Sequence, residues 1–173
     1  MAPGVRRLKL LNKKLFLLFV VIIFVKSGFA SEEHIFWTWP GIEPDKCASA
    51  WAISRFVNKD AKFVFVKRGK FISEGISFDT PYSKFRTTHN MTCFDSICKK
   101  FGLYRNESLK RIGNIVRDIE LNKWEEPITK EAKGLRVILE GLRLKEGESV
   151  IALKKSFQIF DWLYSYYEKG FKR

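Results

Sequence analysis

Glu43-Pro44-Asp45-Lys46-Cys47-Ala48-Ser49-Ala50-Trp51-Ala52-Ile53-Ser54-Arg55-Phe56-Val57 reads as a helix whose start and packing face are both written in its residues. Proline is tolerated in the first helical turn, where its missing N–H has no partner to lose, and acids there complement the helix dipole. Pro44 and Asp45 therefore mark the beginning. Ala48, Ala52 and Phe56 recur every four residues and share one stripe, with Trp51 and Arg55 beside it. Small residues on that stripe predict a close approach to a neighbouring element.

Upstream, His34 to Trp39 is aromatic and β-branched and stops at Pro40-Gly41, the pattern of a short strand and a turn. Downstream, Lys62 to Lys67 alternates in polarity and Ile76 to Phe78 is a second extended piece, with Arg68-Gly69-Lys70 as a turn between them. These segments predict a small sheet. Thr80 to Asn90 has no periodicity and reads as a loop of functional length. Beyond it the chain is helical. Thr92 and Asp95 have the spacing of a capping box, and that helix closes at Phe101-Gly102. Asn106 caps a helix with Leu109, Ile112, Val116 and Ile119 on one face, and similar patterns run over Thr129–Leu144 and Ser149–Glu168. The predicted class is α+β, mostly α: a bundle of about four principal helices with a small sheet near the N-terminal side.

The opening residues belong to a different problem. Arg6, Arg7, Lys9, Lys13 and Lys14 precede an apolar run, Leu15 to Val25, and Gly28 and Ala30 stand at minus three and minus one of a cut before Ser31. Those are the regions of a secretory signal. A spanning helix takes about 20 apolar residues, and this run stops at Lys26. Cleavage is expected, leaving residues 31–173 as a single domain in the periplasm or cell envelope with no stable membrane span. The first 30 residues hold six Lys or Arg and no acid, so their removal lowers the net charge from +13 to +7. The remaining excess favours anionic partners. In an exported protein these are small oxyanions, lipid headgroups or wall polymers, and no nucleic acid is expected. Cys47, Cys93 and Cys98 lack metal or redox spacing and read as buried free thiols, with a Cys47–Cys93 disulfide left open.

The run from Glu43 to Val57, followed by Asp60-Ala61-Lys62-Phe63, resembles the opening signature of the chromate resistance family, the domain found at the C-terminal end of the chromate regulator ChrB. The resemblance continues through Gly75–Pro81, His89–Asp95 and Arg111–Glu120 and ends near Phe160-Asp161-Trp162-Leu163-Tyr164. Ser49-Ala50 stand where regulator-type members have Cys-Pro, and Ser54 where many have a second basic residue. The resemblance implies a link to chromate resistance or sensing, with no defined reaction.

Trp51, Arg55 and Asp45 are the ligand-binding candidates, because a guanidinium meets tetrahedral oxyanions through paired N–H donors. The competing reading has Arg55 paired with a carboxylate such as Asp45, Asp79 or Asp118, and Trp51 in the core. His89, in the unpatterned loop just before a helix start, could join Asp79 and Asp118 around a divalent metal. Asp95 reads as a capping carboxylate. No nucleophile motif or phosphate-cradling loop is present. The leading expectation is an exported domain that binds a small oxyanion or metal ion; the alternatives are a metal-dependent enzyme on a small substrate and an envelope interaction protein. Mass spectrometry of the protein from its native host should show a chain beginning at or within a few residues of Ser31. A full-length cytoplasmic product would contradict this.

Overall fold

The structure is a computed structural model that describes residues 34–122 and 129–170. The signal segment and the cut before Ser31 lie outside the described residues. Strand β1 (Ile35–Thr38) leads into α1 (Pro44–Ala52), which continues as a wide π turn over Ile53–Val57. Strands β2 (Lys62–Phe65) and β3 (Ile76–Ser77) follow, then α2 (Cys93–Lys100), α3 (Glu107–Glu120), α4 (Lys130–Glu146) and α5 (Val150–Lys169). The expected helical majority with a small sheet is what forms, with five helices among the described residues.

The sheet order is β2-β1-β3, and both neighbours run parallel to β1. Phe36 pairs with Phe63 on one side and with Ile76 on the other. Parallel strands put all their C-terminal ends on one edge of the sheet, and that edge receives the cleft described below.

Helix α1 is the hub. Every residue from Asp45 to Ala52 is buried, and α1 touches α2, α3, α4 and α5. Ala48, Ala50 and Ala52 are wholly inaccessible, so their small size allows the close approach that the sequence predicts. Trp51 stacks on Phe160 of α5 with ring centroids 5.7 Å apart, and Phe63 meets Phe157 of α5 edge-on at 5.6 Å. Phe56 departs from the expected stripe and is 36% exposed. The π turn is the reason: Asn58 N–H donates to the Ile53 carbonyl, and the extra residue in that turn breaks the four-residue register after Ala52.

Local caps match their sequence signals. Thr92 Oγ1 accepts from Asp95 N–H while Asp95 accepts from Thr92 N–H, and Asn106, Thr129 and Ser149 each cap the helix that follows. Asp95 also accepts from Tyr104 and Arg117, which fixes α2 to α3. Tyr104 reaches it across Gly113, where a Cβ would collide with the Tyr104 hydroxyl. Cys47, Cys93 and Cys98 are buried free thiols. No described helix is long and apolar enough to cross a membrane.

Because α1 is enclosed on all sides, Ala48→Leu should overpack it. Urea unfolding should show a loss of about 1–3 kcal/mol. An unchanged midpoint would show that the neighbours of α1 yield more readily than this packing implies.

Candidate functional site

The C-terminal ends of β1 and β3, the N-terminus of α1 and the loop after β3 converge on a cleft of about 360 Å³. Its floor carries an ion cluster. Lys46, 3% exposed, places Nζ 2.8 Å from Glu43 Oε2 and 3.5 Å from Asp79 Oδ2. Glu43 has room to fold back towards Lys46 because residue 41 is glycine; a Cβ there would strike the Glu43 carboxylate.

Asp45, one residue before Lys46, points the other way. Its carboxylate accepts from Cys93 N–H at 2.6 Å and Phe94 N–H at 2.7 Å, and from the Thr87 hydroxyl. Those backbone groups belong to the first turn of α2, where N–H donors have no intrahelical carbonyl to meet. Asp45 N–H donates in turn to Glu120 Oε1 at the end of α3. Burial pushes the Asp45 carboxyl up, against the pull of Thr87 and the two backbone donors. Asp79 is raised well above the carboxylate range, first by burial and then by the nearby Asp45 charge, with Lys46 opposing. Its backbone φ is +49°, a left-handed conformation that Asp tolerates better than most residues.

Above this floor stand Arg68, Arg86, Thr80 and Trp39. Arg68 donates to the Pro40 carbonyl and Arg86 to the Ser83 carbonyl. Among the described residues neither guanidinium is in an ion pair. Thr80 is 3% exposed, and its Oγ1 is buried with no hydrogen-bond partner among the described residues.

The sequence-derived candidates separate here. Asp45 and Asp79 line the cleft. Trp51 and Arg55 are turned to α5: Trp51 Nε1 donates to Asp161 Oδ1 at 2.8 Å, and Arg55 grips both carboxylate oxygens at 2.9 and 2.8 Å. Those bonds hold the Asp161 carboxyl below its usual range. The partner of Arg55 is therefore Asp161 and none of the three carboxylates the sequence suggested. Asp118 accepts from Thr129 N–H and hydroxyl, so it fastens the start of α4, and the residue α3 contributes to the cleft is Glu120. His89 is exposed and is not part of the cleft lining. Among the described residues no three His, Cys, Asp or Glu side chains are gathered to hold a metal, so His89, Asp79 and Asp118 do not form one group.

Lys46, Arg68, Arg86 and Thr80 were not singled out by sequence, and Glu120 entered only beside Asp118 in the family-like segment Arg111–Glu120. Lys46 and Glu120 lie inside the family-like segments, where they carried no pattern of their own. Arg68 lies in a turn signal. The Cys47 thiol is pushed by burial up to about 12, and burial also raises Cys93 and Cys98, so none is poised as a nucleophile.

Fold and cleft together define a small, mostly helical α+β domain with a mixed-charge cleft at the C-terminal edge of a parallel sheet. The chain belongs to the ChrB C-terminal domain family, whose model, described as "ChrB, C-terminal domain", matches residues 36–167. It is similar to "Protein ChrB" of Cupriavidus metallidurans, at 25% identity over 130 residues. That match covers 75% of this chain and 39% of the relative, so the chain spans about two fifths of that protein's length. No solved structure matches. Family membership supports the association with chromate resistance that the sequence resemblance implies.

Asp79 yields a pH test with a definite sign. Its folded carboxyl titrates above its unfolded value, so the stability it contributes is complete below about pH 4 and is lost as pH rises through the folded value. Asn tolerates the same backbone conformation and does not titrate. In urea titrations at a series of pH values, Asp79→Asn should gain stability relative to wild type as pH rises from about 4 towards neutrality. A gap that stays constant with pH would refute the assignment.

Proposed function

We propose that this chain is an exported member of the chromate-resistance family whose cleft binds a small oxyanion in the cell envelope. The observation that carries this reading is the contrast between its guanidinium groups. Arg55, Arg117 and Arg143 are each committed to a carboxylate. Arg68 and Arg86 share one cleft and, among the described residues, have no such partner. Beside them are the buried ammonium of Lys46 and the hydroxyl of Thr80, which has no partner among the described residues.

A tetrahedral oxyanion needs several donors from different directions, and charge-assisted bonds from Arg are about twice as strong as neutral ones. Buried hydroxyls without partners are rare, and Thr80 marks a point in the cleft wall where hydrogen bonding among the described residues is incomplete. The setting agrees by analogy with other folds: ligands of open parallel sheets sit beyond the carboxyl ends of the strands. Export rests on the basic, apolar and small-residue segments of the first 30 residues.

Isothermal titration of the purified protein with chromate, sulfate and phosphate tests the reading. At least one should bind, and Arg86→Ala or Arg68→Ala should weaken it by about tenfold or more, the cost of losing one charge-assisted bond. Arg55→Ala, which removes contacts with Asp161, Ser54 and Phe157 and none with the cleft lining, should leave affinity unchanged. Absence of binding by all three anions, or equal loss in all three variants, would reject the cleft as the site.

A further inference from the structure

Beside the cleft lies a group of aromatic side chains that a bare inorganic anion would leave unused. Trp39 lines the cleft, and its indole N–H donates to the Lys70 carbonyl at 3.1 Å, which fixes the ring. Phe71 packs against it with ring centroids 6.3 Å apart and meets Tyr82 edge-on at 5.6 Å. Phe71 also leans on the buried Trp37 at 6.0 Å. Despite these contacts Phe71 is 54% exposed and Tyr82 is 75% exposed. Tyr82 follows Pro81, itself part of the cleft wall. The three rings thus form a shelf continuous with the anion-binding groups.

Single exposed apolar residues are ordinary on protein surfaces, whereas a contiguous patch joined to a polar cleft marks a place where something is covered. Size points the same way. Sites for small organic ligands hold about 300–1,000 Å³, and this cleft, at about 360 Å³, is far larger than one central atom with its oxygens. Rings held at edge-to-face angles present both faces and edges to a further ring, the geometry aromatic groups favour.

Building on the oxyanion reading, we propose that the ligand is an organic oxyanion whose planar ring lies on the shelf of Trp39, Phe71 and Tyr82 while its anionic group meets Arg68 and Arg86. An aryl phosphate is the simplest member of that class. The guanidiniums supply charge recognition, and the shelf distinguishes ring-bearing anions from inorganic ones.

The test compares phenyl phosphate with inorganic phosphate on the same protein by calorimetry. Phenyl phosphate should bind about tenfold more tightly, the scale of one aromatic contact. The double variant Phe71→Ala/Tyr82→Ala should bring the two affinities together without changing that for inorganic phosphate, which also shows that the cleft is still folded. Equal affinity in the wild-type protein would overturn the shelf while leaving the oxyanion reading intact. A preference for phenyl phosphate that survives the double variant would overturn it too. Failure of both anions to bind would remove the oxyanion reading and this inference with it.

Discussion

A helix that begins inside a protein leaves backbone N–H groups with no carbonyl to meet, and α2 begins inside this one: Thr92, Cys93 and Phe94 are fully buried. The carboxylate of Asp45 answers two of those donors from the first turn of a different helix, and Thr92 answers a third. One side chain therefore locks α1 to α2. Its own N–H, bonded to Glu120, brings in the end of α3. The position of Lys46 follows, because a residue next to a fixed carboxylate on a fully buried helix has few directions left. The cleft is what remains once these three helix ends have been joined beside the strand ends.

The same junction explains how charge is divided in the molecule. Asp45 meets helix donors, Asp95 meets Arg117 and Tyr104, and Asp161 meets Arg55 and Trp51. Each of these carboxylates joins two elements, and the desolvation of each is offset by specific donors. Asp79 is placed less favourably, with Lys46 3.5 Å away and a second carboxyl nearby, and its raised titration is the physical sign of that. Strain and poor charge compensation concentrated at one cleft are what a binding site tolerates and a purely structural region avoids.

The fold was far more legible in the sequence than the site. Caps are local chemistry, so Thr92, Asn106, Thr129 and Ser149 could be read from a few neighbouring residues, and helical faces follow from periodicity. The helix opening at Pro44-Asp45, the loop from Thr80 and the family-like segment Arg111–Glu120 were each apparent. Which side chain each one presents was not. Asp118 and Glu120 are two residues apart on α3, about 200° around the helix axis, and sequence does not say which faces α1. Arg55 was drawn away by the π turn and by Asp161, a partner more than a hundred residues distant whose position depends on the packing of α5. Arg68 and Arg86 sit on loops, where no period reveals direction.

The three buried cysteines have a consequence for how this protein can be watched. Cys47 lies in α1, and Cys93 and Cys98 lie in α2, on either side of the Asp45 junction. A thiol reacts as its thiolate and only when reagent can reach it, and burial suppresses both conditions here. Alkylation must therefore wait for α1 and α2 to part. The protein carries its own clock for the opening of that joint, set into the two helices whose union shapes the cleft.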